Sequence, residues 1–185
     1  MIKFIIFWVL IIIELFFIAG YTIYIISLIY SSLKGSFFVP TSNRQLNQIF
    51  NKIDFNHKKI FIDLGSGDGR VVRYIAKQFP KIQAIGLEVN PLLIFLSRTI
   101  AKMKKIKNCQ FYKVDLVHQP IPKADIVYLF LMPKLIDLIS PKLKKLLDSN
   151  SLVISHGFQI RLLKRYLVKV INDKPFATYY YNKIN

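Results

Sequence analysis

The chain opens on an unbroken apolar run and only afterwards settles into the alternation of a folded domain. Between Phe4 and Leu33 the one ionisable acid or base is Glu14. A run of about 28 such residues reaches roughly 42 Å as a helix, which exceeds a hydrocarbon core of roughly 30 Å. The pattern therefore predicts an N-terminal transmembrane anchor over residues 1–34. A cleaved signal peptide fits less well, because the apolar stretch is long, the start is weakly basic and no Ala-x-Ala-like exit follows. A hairpin or re-entrant segment centred on Gly20 is the other arrangement the pattern permits. Glu14 is costly if charged and facing lipid, so it is expected to be protonated or turned toward a helix partner, unless it lies close enough to the interface to reach water.

From residue 35 to 185 the periodicity changes, and a second unit begins. Ser42 and Gln45 have capping-box spacing, and Leu46, Ile49, Phe50 and Ile53 follow on one helical face. Apolar strand-like runs at 60–64, 82–89, 109–114, 125–131 and 152–155 then alternate with helical patterns at 70–79, 91–104 and 135–147, the last interrupted by Pro141, which should kink it. Strands separated by helices predict an α/β fold with a parallel sheet, helices on both faces and right-handed crossovers. The tail differs: Tyr166–Ile171 and Ala177–Ile184 are aromatic and β-branched, with turn residues between them, and read as a closing antiparallel pair.

Charge adds a partner class without choosing one. The 27 Lys and Arg against 10 Asp and Glu give a formal +17, which favours anionic surfaces, either lipid headgroups or nucleic acid. A chain rich in Ile, Lys and Asn throughout has the same balance by composition alone. Lys34, Arg44 and Lys52 follow the apolar run closely against Lys3 before it, so the larger unit should be cytoplasmic and the chain single-pass. A lone cysteine, Cys109, excludes an internal disulfide and a cysteine-based zinc site, and His57, His118 and His156 have no ligand spacing. No metal is expected.

The chemistry concentrates in DLGSGDG, Asp63 to Gly69, between the first strand and its helix. In an open α/β sheet, ligands bind beyond the carboxyl ends of the strands, and Gly65, Gly67 and Gly69 let the backbone turn and approach one. Glu88 ends the second strand about 20 residues further on, where a carboxylate can accept from both ribose hydroxyls. Asp115 closes the third strand, placed for an adenine edge. Asp63 and Asp68 flank the loop and would repel a diphosphate at the helix start, but they suit a cationic, amino-bearing nucleoside such as S-adenosylmethionine.

With DLGSGDGR, GLEVNP, KVDL and SLVISHGF, the sequence resembles the small protein lysine methyltransferases of the class I methyltransferase family. They include the mitochondrial enzymes acting on the ATP synthase c-subunit and on the adenine nucleotide translocase, and archaeal relatives. The similarity runs from about Phe38 to the C-terminus. It implies a Rossmann-like seven-stranded, mostly parallel sheet with the last strand antiparallel, and S-adenosyl-L-methionine as cofactor, held by Asp63, Gly65, Ser66, Gly67, Asp68, Gly69, Glu88 and Asp115. Val39, Pro40 and Thr41, with Tyr128 to Pro133, would border the methyl-transfer site, Tyr128 lying near the acceptor; a tyrosine at that position is equally a buried strand residue. The run ADIVYLFLMP departs from the family, and it lacks the Asn/Asp-Pro-Pro-Tyr/Phe loop of enzymes that methylate exocyclic amines of nucleic acid. A protein acceptor near the membrane is favoured; RNA, DNA, a lipid or quinone, or a non-catalytic membrane-tethered cofactor-binding module, are the alternatives.

Overall fold

A computed structural model describes residues 1–33, 41–172 and 174–183. The apolar run forms a single helix, α1 (Ile2–Leu33), which continues straight through Gly20 and so leaves no hairpin there. By length and composition Ile2–Ser27 is a candidate bilayer span, and none of it is buried against the rest of the chain. The expected boundary at 34/35 and the candidate residues Val39 and Pro40 lie outside the described residues.

The second unit holds seven strands in the order β3-β2-β1-β4-β5-β7-β6: β1 (Ile60–Leu64), β2 (Gln83–Glu88), β3 (Cys109–Lys113), β4 (Ile126–Leu129), β5 (Leu152–His156), β6 (Leu167–Ile171) and β7 (Thr178–Tyr181). Neighbours from β3 through β5 pair in parallel, whereas β7 runs antiparallel to both β5 and β6. Because parallel strands end at the same edge, β1, β2, β3 and β4 deliver their last residues to one rim of the sheet, where a ligand binds in open α/β folds.

Alternation along the strands divides the core into two layers. Phe61, Ala84, Phe111, Ile126 and Tyr128 face α2 (Asn43–Phe50), α3 (Arg70–Gln78) and α4 (Pro91–Met103). Ile62, Leu64, Leu87, Val127 and Leu129 face α5 (Pro133–Asp148) and a 3-10 helix, Arg161–Tyr166. The capping box of α2 is present in full: the Gln45 backbone N–H donates to Ser42 Oγ, and the Ser42 N–H donates to Gln45 Oε1.

Two local expectations are modified. α5 begins at Pro133, which suits a first helical turn, and it continues through Pro141. Proline removes the N–H that would reach the carbonyl four residues back, that of Asp137, and the Ser140 hydroxyl donates to that oxygen at 2.8 Å instead. The basic tract Arg161–Arg165 lies in the 3-10 helix, which takes Tyr166 as well, so the strand expected from Tyr166 starts at Leu167.

Candidate active site

The loop after β1 is fastened to β2 by backbone. Gly65 and Ser66 both donate to the Leu87 carbonyl, at 2.8 and 3.1 Å, and Gly69 donates to Ser66 O at 2.8 Å. Gly67 sits at φ 53 and Gly69, which precedes α3, at φ 74, in the left-handed region where a side chain costs roughly 1–2 kcal/mol. Close approach supplies a second constraint at Gly86 in β2. A Cβ there would lie 2.6 Å from Ser66 Oγ and 2.7 Å from a Phe111 ring carbon, so the bare backbone at 86 is what lets the loop settle onto the sheet.

Four carboxylates lie at this rim. Asp63 and Glu88 lie on the same face of adjacent strands, by alternation, and both are 2% exposed. Glu88 accepts from the Gly67 N–H through one oxygen and from the Val89 and Asn90 N–H groups through the other, each at 2.9 Å. Burial raises its pKa against the lowering effect of those three bonds. Among the described residues no donor reaches Asp63, and its pKa stands well above the usual carboxylate range, through burial first and then the charges of Glu88 and Asp68. Asp68 is engaged differently, in a fork with Arg70 (3.0 Å to Nη2) and with Arg73 at 4.0 Å. Asp115 follows β3 beside Glu88, since Val114 N–H donates to Glu88 O; its Oδ1 accepts from Val117 N–H and its Oδ2 lies 3.2 Å from His118 Nδ1.

Tyr128 stands opposite Asp63 in the β1/β4 register. It is 1% exposed, packs with its ring centroid 5.4 Å from that of Phe50, and its hydroxyl has no hydrogen-bond partner among the described residues. Burial pushes its pKa up, the Asp63 charge adds to the rise, and the hydroxyl of buried Thr41 opposes it. The structure thus brings Thr41, Asp63 and Tyr128 together. Ser66 Oγ is a second buried polar atom without a partner among the described residues. Pro133 is exposed at the start of α5.

Other residues shape the rim with no signal in the motifs. Ser97 Oγ bonds to Gly67 O and Leu93 O, tying the loop to α4. Asn90 caps α4 through Leu92 N–H and also exchanges hydrogen bonds with Ser27 of α1, at 2.7–3.0 Å. Lys142 of α5 places its ammonium 2.7 Å from each of the Leu116, Val117 and Gln119 carbonyls, holding the segment after Asp115.

The donor set fits S-adenosylmethionine. Buried carboxylates at Asp63 and Glu88 have no ion-pair partner among the described residues, and a desolvated anion of that kind is stabilised by a cation brought to it. An RNA methyltransferase from Salinibacter ruber, solved with S-adenosyl-L-homocysteine, superposes with a TM-score of 0.68 over 80% of this chain and 97% of its own, at 25% identity. Fold and site define an S-adenosylmethionine-dependent methyltransferase. The chain belongs to the family of the ANTKMT methyltransferase domain, whose model matches residues 63–166. It is 31% identical over 132 residues to a protein-lysine N-methyltransferase of Saccharolobus islandicus, covering 67% of this chain and 78% of that one. It is 32% identical over 123 residues to the ATP synthase C-subunit lysine N-methyltransferase of Rattus norvegicus, covering 65% of this chain and 55% of that enzyme. The chain thus spans about half the length of the rat enzyme.

Proposed function

We propose that the chain transfers the methyl group of S-adenosylmethionine to a lysine ε-amine of a protein at the membrane its N-terminal helix enters. The observation that carries this reading is the buried acidic rim, Asp63 and Glu88, beside the buried side chains of Tyr128 and Thr41. Asp63 would take the cofactor's α-ammonium, Glu88 its ribose hydroxyls and Asp115 the adenine edge, with Gly65, Gly67 and Gly69 giving the backbone its close approach. The cofactor supplies an electrophilic methyl group on a sulfonium.

The chain's own contribution is alignment and exclusion of water. A lysine amine, ordinarily near pKa 10.4, attacks only when neutral, and burial against Tyr128 favours the neutral form. Pairing Asp63 with the cofactor's ammonium neutralises a nearby charge that would hold the amine protonated. The Tyr128 hydroxyl, buried and without a hydrogen-bond partner among the described residues, is suited to accept a hydrogen bond from the incoming amine. A lysine acceptor is supported by the relatives in Saccharolobus islandicus and Rattus norvegicus. The length of α1 and the Lys and Arg that follow it support a single-pass anchor with the methyltransferase unit on the cytoplasmic side.

The test is the full chain with methyl-labelled cofactor and membranes of its own host, followed by separation of protein, RNA and lipid. Label in protein, recovered as methyl-lysine after hydrolysis, is the expected result. Label in RNA or lipid alone would replace the acceptor, and cofactor binding with no label anywhere would mark a non-catalytic module.

A further inference from the structure

The outer face of α4 breaks the pattern set by the other helices of the sheet. α3 turns Lys77 and Gln78 to solvent, and α5 turns Lys134, Asp137 and Lys145 with the single apolar Leu138 among them, as helices on a water-facing surface do. α4 buries Leu93, Ile94, Ser97 and Ala101, yet the arc opposite them, at 100° per residue, holds Leu92, Phe95, Thr99 and Met103. Phe95 is 64% exposed and Met103 76%. The helix is apolar on both sides. Cations rim this outer arc: Arg98, Lys102, Lys104, Lys105 and Lys107, with no Asp or Glu anywhere from Val89 to Val114. Arg98, Lys102, Lys105 and Lys107 also line an open groove beside the edge strand β3.

The other end of α4 meets α1. Ser27, near the C-terminal end of α1, bonds to Asn90, the cap of α4. That joint sets the start of α4 beside the C-terminal end of α1, and 13 residues carry the helix about 20 Å from it. We infer that the outer face of α4 lies flat on the anionic leaflet of the bilayer that α1 spans, with Phe95 and Met103 in the headgroup–acyl boundary and the lysines on lipid phosphates. Apolar residues on one arc with lysines at its margin are what an interfacial helix requires, and lysines at the border reach headgroups while their stems stay among the chains. The surface then fixes the rotation of the domain about its anchor, holding the Glu88 rim close to the lipid. This inference rests on the reading of α1 as a span.

The test uses the full chain carrying Cys109→Ser, reconstituted in vesicles of phosphatidylcholine and phosphatidylglycerol. Single nitroxides are placed through Phe95→Cys, Met103→Cys, Leu138→Cys on α5, and Phe16→Cys within α1. Collision with oxygen, which concentrates in lipid, and with a water-soluble nickel chelate reports the depth of each. Positions 16, 95 and 103 are expected on the lipid side and 138 in water, with 103 moving to the water value when phosphatidylglycerol is omitted. If 16 is in lipid while 95 and 103 match 138, the surface contact is overturned and the anchor stands. If 16 is itself in water, the anchor reading falls and the inference with it. Shielding of 95 from both reagents, with spin–spin broadening, would give the face to a second copy of the chain instead. No change at 103 without phosphatidylglycerol would overturn the role of the lysines.

Discussion

Replacing Asp63 by asparagine keeps the side chain's shape and removes the charge proposed to hold the cofactor's ammonium. In the free chain that charge is a burden. Burial, Glu88 and Asp68 all raise its pKa in the folded state, so the folded chain binds this proton more tightly than the unfolded one. A raised carboxylate pKa gives stability that is complete at low pH and is lost as pH climbs from the ordinary carboxylate range through the raised value. Asp63→Asn should therefore melt above the natural chain at about pH 8, with the gap closing toward about pH 4. Part of the slope remains in the variant, because Glu88 is raised as well. Cofactor binding should respond in the opposite sense. Taking one partner from a buried, hydrogen-bonded charge pair costs about 2–5 kcal/mol, and roughly 1.4 kcal/mol is tenfold, so calorimetry should find S-adenosylmethionine bound about 30- to 4,000-fold more weakly. For the natural chain below the raised pKa, binding should release a proton, visible as a heat that varies with the buffer's ionisation enthalpy. An Asp63→Asn chain that melts lower at alkaline pH, yet binds the cofactor within about threefold of normal, would refute the reasoning.

Gly86→Ala forces a methyl against Ser66 and Phe111, and overpacking of that kind costs about 1–3 kcal/mol; thermal melts should fall by about 2–4 °C per kcal/mol, with weaker cofactor binding as the loop is displaced. Lys142→Met deprives three carbonyls of a charged donor, with about 1.5–3 kcal/mol at stake per charged hydrogen bond, and should raise KM for the cofactor while leaving kcat at saturation close to normal. Tyr128→Phe removes a hydroxyl that has no hydrogen-bond partner among the described residues, so melting should be unchanged or slightly higher while kcat falls; unchanged kcat would leave Tyr128 a packing residue.

The sequence made the βαβ alternation legible because each element carries its own period: Ile60–Leu64, Pro91–Met103 and Leu152–His156 all fall within a residue or so of where apolar spacing puts them. The capping box at Ser42 is equally local. Boundaries slipped by a residue or two at element ends, as at α5, which begins at Pro133 and not at Leu135, and at Tyr166, drawn into a 3-10 helix. The glycine loop and its acids were legible because DLGSGDG and Glu88 lie at strand ends. The joining residues were not. Ser27 and Asn90 are 63 positions apart, and the contacts of Lys142 span 23 to 26, so no spacing rule ties them together. The seating of β7 between β5 and β6 is likewise a matter of topology: the tail read as an antiparallel pair, but its order in the sheet did not follow from the pattern.

Whether this rim was built for a positively charged adenosine derivative is tested most directly by equilibrium binding of two ligands to the unaltered full chain in detergent. S-adenosylmethionine should bind at a single site per chain, while a nicotinamide dinucleotide, whose diphosphate meets Asp63 and Asp68, should not compete. Uptake of the dinucleotide by a chain indifferent to the sulfonium compound would contradict the account.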